Sequence, residues 1–299
     1  MSKNIYLLTF CTEGQPYDLG YNLQNCAKDI KEKLYQYFTD IFIFTPRSLK
    51  QLSGSEEFCN SWPEPLDQNP HANHVGYFDF KPFLIEHVLK NIPENSVLMY
   101  HDGNFKRNPQ YWESDWHIVS DLLDTLLDLN KTDIFCQWEQ PDVKVSWHVK
   151  GHVLETLFPN NAERNAVAQS PLIGAARIIV RNTEFSRSFI KDYKELSLRK
   201  DLMSKHPLGN SYPEFKWSCG DQDVLNALIY RYILDGKLPT NFPGLVFPYR
   251  VMTFQNRNFT WRFDGLVEEW HKRPHPAGAT FFQNNSFSNI INNLNKQRK

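Results

Sequence analysis

Asn95-Ser-Val-Leu-Met-Tyr-His-Asp-Gly-Asn104 decides how the rest of the chain is read. An apolar run reaches Tyr100, and then His101, Asp102, Gly103 and Asn104 arrive together. A short continuous apolar run closed by turn residues reads as a buried strand. This one ends in a loop that carries a carboxylate and a flexible glycine. In open α/β sheets, ligands bind beyond the carboxyl ends of the strands. An acid at that place can hold a divalent cation, and the cation can hold a phosphate. The stretch points to chemistry on a nucleotide-linked substrate.

Working outward, Ile5–Phe10 is a short apolar run that reads as a central parallel strand, and Cys11-Thr-Glu-Gly-Gln-Pro16 after it has turn chemistry. Residues 17 to 37 have helical spacing, and Asp40-Ile-Phe-Ile-Phe-Thr45 reads as a second strand. This strand-loop-helix-strand start predicts an α/β fold with a mostly parallel, doubly wound sheet and helices on both faces. Residues 51 to 76 are polar and rich in Pro, Asn and Ser, which reads as a long loop. Asp79 can cap the next helix, Pro82 fits its first turn, and Phe80, Phe83, Leu84, His87 and Val88 repeat at helical spacing to about Lys90. After the strand at 96 to 100, Asn108-Pro109 opens a helix with Val119, Leu122, Leu123, Leu126 and Leu127 on one face. Strands are expected at 132 to 138 and 172 to 180, and helices at 149 to 157 and 183 to 198. Residues 199 to 218 read as a polar loop, Gly220-Asp-Gln-Asp223 opens a further helix, and 239 to 254 read as short strands and turns. One domain is expected over 1 to 283, its first part ending at about 135. Residues 284 to 299 form a polar tail.

The 299 residues carry a formal net charge of -1, so no global basic field draws a polyanion, and nucleic acid is not an expected partner. The five cysteines, Cys11, Cys26, Cys59, Cys136 and Cys219, are odd in number and form no C-x-x-C pair. A reducing compartment and free thiols are the reading. No signal peptide or membrane-length apolar run occurs, so a cytoplasmic location is expected, with the basic end Lys-Gln-Arg-Lys as a candidate for peripheral membrane contact. Aromatic residues make up 14%, a surplus that either lines a sugar-binding cleft or fills a large aromatic core. The chain has no Gly-x-Gly-x-x-Gly, P-loop, Gly-x-Ser-x-Gly or His-Glu-x-x-His motif, which disfavours dinucleotide enzymes, kinases and the commonest hydrolases.

Three motifs stand in order: Tyr77-Phe-Asp-Phe-Lys-Pro82, Leu98-Met-Tyr-His-Asp-Gly103 and Cys219-Gly-Asp-Gln-Asp-Val-Leu225. This order resembles the nucleotide-sugar-dependent glycosyltransferases of the GT-A fold, over roughly residues 4 to 250. The resemblance implies a transferase that moves a sugar from a nucleoside-diphosphate sugar, UDP-sugar by default, to a hydroxyl of a glycan or similar acceptor. It also implies Mn²⁺ or Mg²⁺ to neutralise the diphosphate leaving group. The Asp-x-Asp usual in such folds is here Asp102-Gly103-Asn104, with an amide in place of the second acid.

The resemblance places the donor nucleotide near Thr9, Cys11, Thr12, Tyr77, Lys81, His101, Asp102 and Gly103, with Phe78 packing beside it. Lys81 would meet a phosphate. Metal ligands would be Asp102, Asn104 and a late histidine, His271 or His275, with Lys272 and Arg273 in the same loop. Gly174 and Ala175 lie in the small-residue stretch that borders the donor sugar, and Trp217 and Gln222 lie on the acceptor side. Asp221, with Asp223 second, would accept the acceptor's proton. Each of these residues also has a plainer reading: Asp102 as a turn cap, Lys81 as a solvated lysine, and Asp221 or Asp223 as helix-dipole caps. Two other classes remain beside the enzyme: a non-catalytic glycan-binding or scaffold protein on a degenerate transferase fold, which Asn104 favours, and a nucleotidyltransferase, which lacks its phosphate loop here.

Overall fold

The computed structural model describes residues 4–11, 34–59, 78–102, 123–124, 127–128, 131–138, 143–203, 212–216, 218, 220–239, 250–253 and 258–261. Five strands form the central sheet: β1 (Ile5–Phe10), β2 (Asp40–Phe44), β3 (Val97–Asp102), β4 (Ile134–Trp138) and β5 (Ile173–Arg181), in the order β2-β1-β3-β5-β4. β2, β1 and β3 run parallel, whereas β5 lies antiparallel between β3 and β4. The α/β class with a mostly parallel sheet is therefore what the chain adopts. The carboxyl ends of β1, β2, β3 and β4 and the start of β5 share one edge, because His101 pairs with Arg177 and Trp138 with Ile173.

The helices are α1 (Pro46–Lys50), α2 (Glu56–Cys59), α3 (Phe80–Asn91), α4 (Gly151–Leu157), α5 (Asn161–Ala168), α6 (Glu184–Ser197), α7 (Lys200–Met203) and α8 (Asp221–Leu234). A separate antiparallel ladder joins β6 (Arg250–Thr253) and β7 (Asn258–Trp261). The alternation of side chains along a strand divides the core between the two faces of the sheet. Tyr6, Leu8, Phe10, Leu98, Tyr100, Ile178 and Val180 face α3, α6 and α8, which carry most of the buried apolar side chains. Ile5, Leu7, Val97, Met99, Phe135 and Ile179 face the other way, where Leu34, Phe38, Leu123 and Leu127 cover them.

Local sequence explains the elements that frame the shared edge. α6 opens on a capping box, with the Thr183 hydroxyl accepting from the Ser186 backbone N–H. α8 opens after Gly220, whose φ of 63° lies in the region that favours glycine. Asp79 takes the cap position of α3 but makes no capping hydrogen bond, since its own backbone is already helical. A capping side chain reaches N2 or N3 from an extended residue. Several elements differ from the sequence reading, α2 and α7 among them, since both stand in stretches read as polar loops (51 to 76 and 199 to 218). β3 runs on through Asp102, so the acid is the last strand residue and not a loop residue. α5 and α7 occupy stretches the apolar pattern did not mark, α5 being capped by the Asn160 side chain, which accepts from Ala162 and Glu163 N–H.

Candidate functional site

Three charged side chains from separate parts of the chain meet at the shared edge. Lys81, in the first turn of α3, places Nζ 2.8 Å from Asp221 Oδ2 and 3.2 Å from Asp102 Oδ1. Its ammonium also donates to the Ala175 carbonyl oxygen at 3.2 Å. The Lys81–Asp221 contact is an ion pair, not an aligned hydrogen bond. Lys81 and Asp221 are closed off from solvent, while the Asp102 side chain keeps 26% exposure. The site therefore opens on its Asp102 side.

Aromatic side chains line the ammonium. Nζ lies 4.6 Å from the Phe78 ring centroid and 5.5 Å from that of Tyr100, within reach of cation–π attraction. Phe78 has a φ of 68°, an unusual backbone for a bulky residue. Such a conformation costs on the order of 1–3 kcal/mol and persists only where its surroundings enforce it. The Tyr100 hydroxyl donates to Asp102 Oδ1 at 2.8 Å, and the Tyr193 hydroxyl donates to the Asp221 carbonyl oxygen at 3.3 Å.

Burial pulls the Lys81 ammonium down, but Asp102 and Asp221 more than offset it, so the group titrates above the ordinary lysine range. Burial pushes the Asp221 carboxyl up to about 7, against the pull of Lys81. Of this pair, Lys81 stays charged and Asp221 is the group that titrates near neutrality. Tyr100 is held above the phenol range by burial and then by Asp102, so it keeps the proton it donates.

α8 also fixes the start of β5. Asn226 accepts from Ile173 N–H through Oδ1 at 2.8 Å and donates Nδ2 to the Ile173 carbonyl at 2.8 Å. Gln222 Nε2 donates to the same carbonyl at 2.9 Å, and the Tyr230 hydroxyl donates to Pro171 O at 2.6 Å. Residues spaced by four lie on one helix face, so Gln222, Asn226 and Tyr230 form one polar stripe along a helix that also buries Val224, Leu225, Leu228 and Ile229. These bonds satisfy backbone groups where the β4–β5 register shifts between Cys136 and Trp138. Asn226 and Tyr230 were not singled out by the sequence reading, although their spacing from Gln222 was the signal.

Asp223, beside Asp221, serves a different contact set. Its Oδ2 accepts from the Lys150 backbone N–H at 3.1 Å and from the Ser218 hydroxyl at 2.9 Å, with Lys150 Nζ at 3.7 Å. Lys150 Nζ donates to the Leu202 carbonyl at 2.5 Å, so a buried lysine ties the amino ends of α4 and α8 to α7.

The structure brings together Lys81, Asp102, Ala175 and Asp221, with Gly174 and Gln222 buried next to them in β5 and α8. It places Thr9, Cys11 and His101 differently. Strand alternation turns Thr9 and His101 to the second face, where Cys11 joins the core with Ile5 and Leu7. The Thr9 hydroxyl is fully buried and has no hydrogen-bond partner among the described residues. His101 Nδ1 lies 2.6 Å from the Asp102 carbonyl oxygen, and burial holds its ring well below the usual histidine range, so it donates as the neutral form. Thr12, Tyr77, Gly103, Asn104, Trp217, His271, Lys272, Arg273 and His275 lie outside the described residues, as does the tail from 284.

Among the described residues no group of three or more His, Cys, Asp or Glu side chains is placed to hold a metal ion. Asp102 does fit as one ligand. Its side chain is the open member of the cluster, and a carboxylate oxygen is a suitable ligand for a hard divalent cation. No described helix is long and apolar enough to cross a membrane.

No family model and no curated protein matches this chain. Among solved structures, the chain is similar to the galactosyltransferase LgtC, determined in complex with donor and acceptor sugar analogs. The two are 14% identical, with a TM-score of 0.36 over 75% of this chain and 70% of that one. So slight a likeness carries no argument about activity or site.

Proposed function

We propose that this chain is a glycosyltransferase that moves a sugar from a nucleoside-diphosphate sugar, UDP-sugar first, to a hydroxyl of a glycan or similar acceptor. One observation carries the reading: a buried lysine bridges two carboxylates, Asp102 and Asp221, at the carboxyl edge of a mostly parallel sheet. Ligands of open α/β sheets bind at that edge. Together with the resemblance of the three sequence motifs, this favours a donor on the open Asp102 side.

In the transfer, the acceptor oxygen bonds to the anomeric carbon as that carbon's bond to the diphosphate oxygen breaks. The electron pair leaves with the diphosphate, and the hydroxyl proton goes to a carboxylate. Asp221 suits that proton, because a group that titrates at about 7 is a competent base near neutral pH. A diphosphate beside Asp102 offers Lys81 a further anion, on the side away from Asp221. Mn²⁺ or Mg²⁺, held by Asp102 with Asn104 and His271 or His275, would supply Lewis-acid neutralisation of the leaving group. Asp223 keeps the start of α8 in place through Lys150 and Ser218.

A non-catalytic glycan-binding protein on the same fold is the second reading. The closure of Asp221 by Lys81, at 1% exposure, favours it. Thermal-shift measurements with UDP-, GDP- and CDP-sugars, with and without Mn²⁺, test the proposal. A ligand at 100 times its Kd adds about 2.7 kcal/mol to stability. A UDP-sugar is expected to raise Tm and to be hydrolysed or transferred in a manner that Asp102→Ala abolishes. Stabilisation by no nucleotide removes the transferase reading, and binding without turnover leaves the second.

A further inference from the structure

We infer that Tyr100 is a positioning residue for the donor side, a role that rests on the transferase reading. Its phenol fixes Asp102 so that one carboxylate oxygen is held inward and the other faces the open side of the site.

Tyr100 and Asp102 stand two residues apart on β3, and strand alternation puts both on the face that Lys81 occupies. Asp102 Oδ1 takes the Tyr100 hydroxyl at 2.8 Å and the Lys81 ammonium at 3.2 Å. The same ring stands 5.5 Å from Lys81 Nζ. A buried phenol needs an acceptor. Tyr193 and Tyr230 spend theirs on the backbone carbonyls of Asp221 and Pro171, whereas Tyr100 spends its own on the one half-open carboxylate of the cluster. Without that hydroxyl, Oδ1 keeps only the Lys81 ammonium of these two donors, and the carboxylate is freer to rotate about its Cβ–Cγ bond. The outward oxygen, the atom left to a donor or its cation, then loses its fixed place.

Tyr100→Phe removes the hydroxyl and keeps the ring beside Lys81. The experiment is UDP binding by calorimetry across a Mn²⁺ titration, on wild type, Tyr100→Phe and Tyr193→Phe, with urea stability measured on all three. Loss of a group that orients a ligand side chain typically costs ~10–100-fold in affinity. Tyr100→Phe is expected to raise the half-saturating Mn²⁺ for UDP binding by about 10-fold or more, or the UDP Kd itself if wild type binds without Mn²⁺. Tyr193→Phe, which removes another buried phenol, is expected to lose stability without that shift. Equal Mn²⁺ and UDP responses in the two variants, or a Tyr100→Phe effect confined to urea stability, overturn the inference and leave the transferase reading standing. Failure of wild type to bind UDP at any Mn²⁺ concentration overturns the transferase reading, and this inference with it.

Discussion

Lys81 Nζ stands 2.8 Å from Asp221 Oδ2, so the first turn of α3 is joined to the first residue of α8 by a buried ion pair. Removing one member of such a pair leaves an uncompensated charge and costs about 3–5 kcal/mol. Lys81→Met should lose about that much in urea denaturation. Adding Asp221→Leu should recover part of the loss, because an apolar pair needs no charge compensation. A double variant no more stable than Lys81→Met would mean the two residues are not energetically paired.

The carboxyl of Asp221 gives the protein a pH dependence of known sign. Its folded value, about 7, lies above its unfolded value of 3.8. The native state then binds more protons between those values, so this contribution to stability is fully present below about 4 and fades as pH rises through 7. The stability of wild type relative to Asp221→Asn should fall over that window in urea titrations at successive pH values. If Asp221 accepts the acceptor's proton as proposed, transfer should rise over the same window. A flat stability difference between the two proteins would contradict the raised value.

Asp223 separates from its neighbour by its contacts. Asp223→Ala removes the partner of the Lys150 N–H, the Ser218 hydroxyl and, at 3.7 Å, the Lys150 ammonium. The expected loss is about 3–5 kcal/mol, as for other broken buried pairs. Nucleotide affinity of the folded fraction should be unaffected. A variant with wild-type stability and no transfer would instead return Asp223 to the reacting atoms.

Asn226 pairs with both backbone groups of Ile173, donating to one and accepting from the other. Asn226→Asp keeps the acceptor and loses the donor, and it faces a carboxylate toward the Ile173 carbonyl. An unsatisfied buried polar group costs about 1–3 kcal/mol, and a charged one more. Lower urea stability and faster amide exchange at the start of β5 are the expected results. Unchanged exchange at Ile173 would show that the sheet, not the asparagine, holds that residue.

How much was legible in the sequence differs from element to element. The helix expected over 183 to 198 matches α6 to within a residue at either end, and the apolar run 5 to 10 matches β1. α5 went unmarked because Asn-Ala-Glu-Arg-Asn-Ala-Val-Ala has few apolar positions, although Asn160 ahead of it is a cap by type. Of the candidate site, Lys81, Asp102 and Asp221 were each named through the family resemblance, Lys81 and Asp102 for the donor and Asp221 for the acceptor. Tyr100 and Lys150 were passed over, since a tyrosine inside an apolar run and a lysine at a helix start look ordinary until their partners are known.

Local pattern by itself determined where most of the strands and the longer helices form, because side-chain periodicity and cap chemistry act over a few residues. It also put an acid beside the end of β3, though in the loop and not in the strand, and acids at the start of α8. Only the tertiary structure decided that β5 runs antiparallel, since a run such as Ile173–Arg181 reads the same in either direction. That reversal brings the Ala175 carbonyl to the edge where Asp102 ends, and the packing of α3 and α8 there sets one ammonium between two carboxylates. Coulomb attraction and burial over such sequence distances depend on the finished fold, so a shared charge of this kind has no signature in the linear chain.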